Sequence, residues 1–299
     1  MSAEAIQADA VDAKQERAWK REEAAIARKY MGRVPWEMVA WGLGNFVFWL
    51  SLWPLTLSGV LPLWAAFLLS TFSITICYLP SHEAQHSIIA TEGAPLRWLN
   101  ELVGHVSAIP MLLPYRIAWI THKQHHANAN DPELDPDHGN QGENWWKAAW
   151  NGIQSRQFGA EGGYRAALSR SEDPKLGRAV REATILSLSY YAVLTGMAWS
   201  GHAIEAFFLW FLPRHIATTY IQIFLSWAPH HPMQDKGRYR DTRAWKSPVG
   251  TILSMGMEYH VIHHLFPRIP LFQTGPAYFE MARMLDERGV PNDRPEGRA

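Results

Sequence analysis

The sequence predicts an all-α membrane protein with four transmembrane helices arranged as two hairpins. The first observation is a run of forty-four residues, Met38 to Ser81, that contains no Asp, Glu, Lys or Arg. Because a helix needs roughly 20 apolar residues to cross a bilayer, this run is long enough for two crossings. Pro54, Gly59 and Pro62 lie near its middle and predict the turn that joins them.

A second region of low charge extends from Ala183 to His231 and is interrupted only by Glu205 and Arg214. It divides into two predicted helices, at roughly 183–203 and 206–228. Soluble helices of this length usually carry a polar stripe, and the first charge-free run has none. We therefore expect two pairs of membrane-crossing helices rather than the large helical core of a soluble protein.

The distribution of basic residues predicts the orientation of these helices. The turns inferred near 55–62 and 202–205 contain no Lys or Arg, whereas the N-terminal segment is rich in both. Cytoplasmic segments of membrane proteins carry an excess of Lys and Arg. Both termini and residues 82–182 are therefore expected on the cytoplasmic side of the inner membrane.

Two further stretches are expected to lie at the membrane surface or to dip into it. Leu99 to Ile120 is apolar, but Pro110, Pro114 and Arg116 favour a re-entrant or interfacial helix over a crossing. Residues 138–182 mix three tryptophans with Lys, Arg and Glu. That mixture is typical of a segment at the interface between lipid and water.

Composition excludes several classes of site. The chain has 28 basic and 28 acidic side chains, and this balance argues against a nucleic-acid partner, which requires a basic surplus. Its single cysteine, Cys77, excludes an intramolecular disulfide and any thiolate zinc cage or iron–sulfur cluster built from this chain.

Three clusters contain eight of the fourteen histidines. They are His82 and His86 in HEAQH, His122, His125 and His126 in HKQHH, and His260, His263 and His264 in HVIHH. Residues three and four apart share one helix face, and the predicted topology places all three clusters on the cytoplasmic side. Eight imidazoles exceed what one ion accepts, and imidazole suits iron, zinc, copper and nickel. The sequence therefore predicts a site for two metals.

Two other interpretations of the histidines remain open at this point. HEAQH matches the HExxH helix of zinc peptidases, in which Glu83 would be the general base, but a peptidase gives no reason for two HxxHH clusters. A membrane protein that carries or senses a metal would also use histidines for zinc, and it would bind the metal without catalysing a reaction.

In this order around two hydrophobic hairpins, HEAQH, HKQHH and HVIHH resemble the histidine boxes of the membrane fatty-acid desaturase and hydroxylase superfamily. The resemblance covers roughly residues 36–280. It implies a four-helix membrane domain at 35–280 with a cytoplasmic helical cap, between a polar N-terminal segment at 1–34 and a polar tail at 281–299. It also implies a non-haem di-iron centre that activates O₂ for desaturation, hydroxylation or ketolation of a lipid chain.

Finer motifs resemble one branch of that superfamily. HHANANDPELDPD (125–137), WAPHHP (227–232), GRYRDTR (237–243) and EYHVIHHLFPRIPLFQTGPAY (258–278) are similar to segments of cyanobacterial-type β-carotene ring hydroxylases. The resemblance favours a β-carotene ring hydroxylase of carotenoid biosynthesis. The alternative is an acyl-lipid fatty acid desaturase, since such enzymes share the three boxes and relatives often differ in substrate.

The resemblance also implies roles for individual residues. The eight box histidines would bind the irons, with one further ligand after the fourth helix, where His230 is favoured over His231 by the branch motif. We expect Asp131 or Asp135 to orient a bound histidine, and Glu83 either to do the same or to lie exposed. Beyond the metal ligands, no other catalytic residue is predicted.

Two partners are expected besides the bilayer. The lipid or carotenoid substrate would enter an apolar tunnel from the membrane. The sequence contains no flavin or dinucleotide fingerprint and no cysteine set for a cluster, so the electrons are expected from a separate donor, ferredoxin or a similar protein.

Overall fold

The computed structural model describes residues 3–156, 163–245, 251 and 254–292. These parts of the chain are helical and contain no strand, apart from one isolated bridge between Ala244 and Asn292. The predicted all-α class is therefore confirmed for the described residues.

The first hairpin follows a long N-terminal helix, α1 (Ala3–Tyr30). Its two arms are α2 (Trp36–Leu57) and α3 (Leu63–Ile76), which continues into α4 (Tyr78–Gln85). Both arms, Trp36–Leu57 and Leu63–Gln85, are long and apolar enough to cross a membrane by length and composition. Only 33% and 39% of their most apolar stretches is buried, so both present apolar side chains outward. Gly59, with φ +76°, allows the turn between them.

A second pair of long helices packs beside the first. One member is α9 (Leu176–Trp199). The other runs without a break from Ala203 to His230 and contains two π-helical stretches, Phe207–Phe211 and Gln222–Trp227. Its α-helical parts are α10 (Ala203–Ala206), α11 (Leu212–Ile221) and α12 (Ala228–His230).

Aromatic side chains fill the space between the two pairs. The Trp210 ring lies at right angles to that of Tyr190, with centroids 4.8 Å apart, and 5.1 Å from that of Trp49. The Trp210 indole Nε1–H donates to the carbonyl of Pro110 at 2.7 Å. This bond satisfies the one polar group of a buried ring and fixes the turn at Pro110 against the helix bundle.

The stretch predicted to be re-entrant or interfacial forms two helices, α5 (Arg97–Ala108) and α6 (Tyr115–Asn128), separated by a turn at 109–114. The Arg116 side chain at the start of α6 contacts the carboxylates of Glu101 and Glu182. These ion pairs compensate a half-buried charge and tie α5 and α6 to α9.

Shorter elements complete the fold around the ends of the long helices. They are α7 (Trp145–Ser155), α8 (Gly163–Ser169), α13 (His260–Leu265), α14 (Leu271–Glu287) and single 3₁₀ turns at His138–Asn140 and Met257–Tyr259. Helix α14 continues beyond residue 280, with Met281 and Leu285 fully buried. The packed part of the chain therefore extends into the segment expected to be a tail.

The N-terminal helix is joined to this end of the molecule by a buried charge network. Glu23 is 0% exposed and accepts hydrogen bonds from Arg288 at 2.6 Å, Arg238 at 2.9 Å and the Tyr239 hydroxyl at 2.9 Å. A buried carboxylate is stable only when it is paired in this way. The network therefore fixes α1 against α14 and the 237–243 segment.

Gly104 is needed for the close packing of α5 on α6. A Cβ at this position would lie 2.4 Å from the buried Tyr115 ring, whose hydroxyl donates to the Ala84 carbonyl at 3.0 Å. We expect Gly104→Ala to lower stability by about 1–3 kcal/mol, because overpacking would displace Tyr115. Thermal unfolding of the detergent-solubilised protein measures this. Gly44→Ala is the control, since a Cβ there has no neighbour within 4 Å, and an equal melting temperature for both variants would contradict the expectation.

Candidate metal centre

Eight histidines form two adjacent clusters where the helices α4, α6, α12 and α13 converge. Within each cluster, one ring nitrogen per residue lies within 4.8 Å of all the others. The first cluster consists of His82, His86, His122 and His263, and the second of His125, His230, His260 and His264.

His126 lies between the two clusters. Its Nε2 is 3.1 Å from Nε2 of His122 and 2.9 Å from Nε2 of His263, both in the first cluster. Its ring centroid is also 4.4 Å from that of His264 in the second cluster. All eight box histidines and His230 therefore belong to one continuous group of imidazoles.

Helix geometry explains how each box contributes. His82 and His86 are four residues apart at the end of α4, so both face the first cluster. On α6, by contrast, His122 faces the first cluster and His125 the second. One helix turn thus spans both clusters and sets the distance between them.

The donor set fits transition metals. Burial lowers the pKa of His122, His126, His263 and His264 well below the ordinary value, with neighbouring histidines as a further cause. These imidazoles are therefore neutral, which is the form that binds a metal. Nitrogens about 3 Å apart match ligands on a metal with bonds of about 2.1 Å.

Buried ring nitrogens without a partner point to the same conclusion. Among the described residues, Nε2 of His86, His230 and His264 has no hydrogen-bond partner. A buried polar atom in this state is costly unless something binds it. A metal ion on each cluster would satisfy these lone pairs, whereas no side chain of the described residues does.

Asp135 orients His125 from outside the clusters. Its Oδ1 lies 2.8 Å from His125 Nδ1, and the carboxylate also accepts the backbone N–H groups of Asn130 and Asp137, each at 2.9 Å. Burial lowers the pKa of His125, but the carboxylates of Asp135, Asp137 and Asp241 together raise it to about 9, so a metal that binds this ring would displace a proton. The contact with Asp135 directs the other ring nitrogen, Nε2, toward the second cluster.

The other two acidic residues singled out in the sequence are placed differently. Asp131 accepts the backbone N–H groups of Glu133 and Leu134, at 2.9 and 3.0 Å, and pairs with Lys236 without contacting a box histidine. Asp135 rather than Asp131 is therefore the residue placed to orient a ligand. Glu83 is 1% exposed and accepts the backbone N–H of Leu271, which ties α4 to the start of α14.

The adjacent residues His230 and His231 lie in different environments in the structure. His230 is buried and its ring lies in the second cluster, with Nδ1 2.9 Å from the Asp241 carbonyl oxygen. His231 instead stacks on Trp227, with ring centroids 4.5 Å apart. The remaining histidines, His105, His138, His202 and His215, also lie outside both clusters.

Two residues that contact the second cluster, Asp241 and Met257, were not predicted from the sequence. Asp241 holds His230 through its carbonyl, and its carboxylate lies 3.9 Å from His264 Nδ1. Met257 places its sulfur 3.2 Å from His260 Nδ1. Asp241 lies within GRYRDTR, one of the motifs that carry the family resemblance, and that motif was a reason to consider it. No motif in the sequence includes Met257.

A cavity of about 260 Å³ opens beside the clusters. Its wall includes His82, His122, His125 and His260 from both clusters. Apolar side chains form much of the remaining wall, namely Met111, Leu112, Leu113, Ile221, Leu225 and Met257. A chain-like apolar ligand in this cavity would lie directly against the metal-binding side chains.

Comparison with known proteins identifies the family. The fatty acid desaturase family model matches residues 58–294. An omega-3 fatty acid desaturase of Ricinus communis chloroplasts is 25% identical over 58% of this chain and 44% of its own length. An sn-1 acyl-lipid omega-3 desaturase (ferredoxin) of Nostoc sp. is 24% identical over 64% of this chain and 60% of its own. The chain spans about half the length of these relatives.

The matches discriminate between the two expectations drawn from the sequence. A third relative, an sn-1 oleoyl-lipid 12-desaturase of Anabaena variabilis, is 27% identical over 38% of this chain and 28% of its own length. All three relatives are named as fatty acid or acyl-lipid desaturases, so the similarity to carotenoid hydroxylases receives no support. The predicted superfamily is confirmed: the chain belongs to the fatty acid desaturase family, whose model covers most of it.

Proposed function

We propose that this protein is an O₂-dependent di-iron desaturase that acts on the acyl chain of a membrane lipid. The observation that carries the proposal is the pair of adjacent histidine clusters in a member of the fatty acid desaturase family. The acyl substrate is supported by the relatives, which are named as desaturases of fatty acids and acyl lipids.

Nine histidines would hold the two irons. His82, His86, His122 and His263, bordered by His126, would bind one iron, and His125, His230, His260 and His264 the other. Such a pair supplies the O₂ activation that removal of hydrogen from an unactivated C–H bond requires. The all-nitrogen donor set excludes calcium and magnesium, which prefer oxygen ligands.

The protein's own groups prepare this site in two ways. The Asp135 carboxylate and the Asp241 carbonyl hold Nδ1 of His125 and His230, so that both rings keep a fixed orientation. The apolar cavity wall, with Leu113, Ile221 and Leu225, would hold an acyl chain against the clusters and exclude water from the reacting carbon.

Four membrane crossings fit the outer surface of both helix pairs. On α9 the exposed side chains include Ile185, Leu188 and Tyr191, each more than 60% accessible. The helical stretch from Ala203 to His230 likewise exposes Ile204 and Phe207. Lipid contact accounts for such surfaces, which a water-soluble protein rarely presents. We therefore propose a multi-pass inner-membrane protein with both termini and the metal centre in the cytoplasm.

A ferredoxin-like protein is the proposed electron donor. The single cysteine, Cys77, is buried, so this chain cannot bind an iron–sulfur cluster through thiolates of its own. The name of the Nostoc relative includes ferredoxin. A cytoplasmic metal centre would be accessible to such a soluble donor.

The first prediction concerns the product. In a bacterial host that accumulates β-carotene and co-expresses ferredoxin and its reductase, the wild-type chain is expected to introduce a new double bond into membrane fatty acids. His263→Ala should abolish this product, because one metal loses a ligand. Gas chromatography with mass spectrometry of fatty acids and liquid chromatography of carotenoids measure both pools in the same cultures.

Two outcomes of this experiment contradict the proposal. Hydroxylated carotenoid with unchanged fatty acids would assign the β-carotene ring as substrate. No change in either pool, in cells whose donor supports a known desaturase, would favour a metal-binding protein without oxygenase activity.

The second prediction uses the adjacent histidine pair as its own control. His230→Ala should lower the iron content from about two to about one per chain and abolish desaturation, because His230 lies in the second cluster. His231→Ala should retain both irons, because its ring packs on Trp227. Iron is measured by inductively coupled plasma mass spectrometry on purified protein. Equal iron content in the two variants would remove His230 from the ligand set.

The third prediction compares two acidic residues of one turn. Asp135→Asn should weaken iron binding by roughly 10–100-fold, the usual effect of removing a carboxylate that orients a histidine ligand. Asp131→Asn should leave iron affinity unchanged, since Asp131 contacts only the turn and Lys236. Competition with a chelator measures the affinities. A loss in Asp131→Asn as large as that in Asp135→Asn would indicate that the turn as a whole is responsible.

A further inference from the structure

Two arginines line the same cavity as the histidine clusters. Arg156 follows α7 and Arg214 lies on α11, and both side chains are half-buried. From Arg214, the cavity follows one face of the helix through Thr218, Ile221, Gln222 and Leu225. Arg214 and Leu225 are eleven positions apart, which corresponds to roughly 16 Å at the usual helical rise, so the cavity is long enough to hold part of an extended lipid chain.

Neither guanidinium has a carboxylate partner in the described part of the chain. Arg156 donates to Oε1 of Gln222 at 2.9 Å and to the hydroxyl of Thr219 at 2.8 Å. Arg214 donates through Nε to the carbonyl of Met111 at 3.1 Å. All these acceptors are neutral, and the Arg214 guanidinium also lies 5.7 Å from the centre of the Tyr190 ring. Within the described residues, no carboxylate neutralises either positive charge.

Four other half-buried arginines in the described part of the chain are paired with carboxylates. The side chains of Arg97 and Arg116 contact Glu101, and those of Arg238 and Arg288 contact Glu23. Arg156 and Arg214 differ from these four arginines in having no carboxylate partner among the described residues. An ionisable residue at membrane depth is costly and commonly meets a substrate or a water-filled path.

The two cavity arginines also affect each other. Burial, together with the neighbouring charge of Arg214, lowers the pKa of Arg156 to about 10. Asp137 is the acidic residue of the cavity wall, and its carboxylate lies 3.8 Å from His125 Nδ1. The positive charge at Arg156 and Arg214 is thus left for a ligand to neutralise.

We propose that Arg156 and Arg214 bind an anionic group, a carboxylate or a phosphate, at the polar end of the lipid whose chain fills the cavity. The inference rests on the proposed acyl substrate. Guanidinium groups match both anions with paired N–H donors. The Gln222 and Thr219 side chains accept hydrogen bonds from Arg156 and so fix the position of its guanidinium group. Anchoring this end fixes which carbon of the chain lies beside the histidine clusters.

The test measures ligand binding to the iron-loaded full chain in lipid nanodiscs. Displacement of a fluorescent fatty acid by oleate is compared with displacement by oleyl alcohol, which has the same chain without the charge. Oleate is expected to bind about tenfold more tightly than the alcohol, and Arg156→Gln and Arg214→Gln should each remove about this factor. The two Lys variants should retain part of it, because they keep the charge.

Controls separate binding from folding and from surface charge. Arg165→Gln, on the exposed surface of α8, should leave the affinity for oleate unchanged. Arg156→Gln tests the inference independently if Arg214→Gln does not fold, because the partners of Arg156 lie on a different segment from Met111. Equal binding of oleate and oleyl alcohol, or an unchanged ratio in the Gln variants, would overturn the inference.

A second arm distinguishes the source of the anion. Nanodiscs containing phosphatidylglycerol are compared with nanodiscs of phosphatidylcholine, whose phosphate is balanced by the choline cation. Competition by phosphatidylglycerol that depends on Arg156 would identify the uncompensated phosphate of an anionic headgroup. Charge-dependent binding without any acyl product would retain the anion site and reject the proposed function. If Arg156→Gln leaves both the yield of acyl product and the ratio of oleate to oleyl alcohol binding unchanged, the proposed function is retained and the anion site is rejected.

Discussion

The fold depends on one electrostatic constraint, which is that nine imidazoles share a small volume. In this volume the buried Nε2 atoms of His86, His230 and His264 have no hydrogen-bond partner among the described residues. Their convergence requires α4, α6, α12 and α13 to end or pass within a few ångströms of one another. Burial lowers the pKa of His263 and His264, so these imidazoles are neutral and tolerate the crowding, whereas nearby carboxylates raise the pKa of His125. A cation would satisfy the Nε2 lone pairs that have no partner among the described side chains. The proposed metal binding would therefore satisfy polar atoms that the packing of these helices buries.

The surrounding structure maintains this arrangement from several directions. The Tyr115 hydroxyl holds the Ala84 carbonyl within the first box, and Glu83 of the same box holds the backbone N–H of Leu271 beyond the third. On the opposite side, Asp135 and Asp241 hold His125 and His230. Each histidine-bearing segment is thus anchored by a contact outside the clusters, which restricts the positions of the rings before any metal binds.

The order of charged, apolar and histidine residues along the chain was sufficient to predict the long helices and the histidine site. Charge-free runs predicted long apolar helices, and the 3- and 4-residue spacings predicted which histidines share a face. The partition between clusters was not predictable, because it depends on how α6 crosses α4 and α13, so that His122 and His125 diverge. Asp131 and Asp135 are equally plausible in sequence, and only the turn geometry turns Asp131 toward its own backbone. The carotenoid interpretation came from motifs around the metal-binding residues, which constrain iron chemistry more strongly than substrate.

Substrate choice depends instead on the cavity wall. β-Carotene is a hydrocarbon and offers no group that would compensate Arg156 and Arg214, so binding it would leave two charges in a desolvated site. A lipid with an anionic end converts the same charges into binding energy and fixes its chain relative to the histidines. The proposed anion site and the proposed acyl substrate therefore describe one class of ligand, an acyl lipid with an anionic end. By the same argument, the position of the new double bond would be set by its distance from the polar end of the chain.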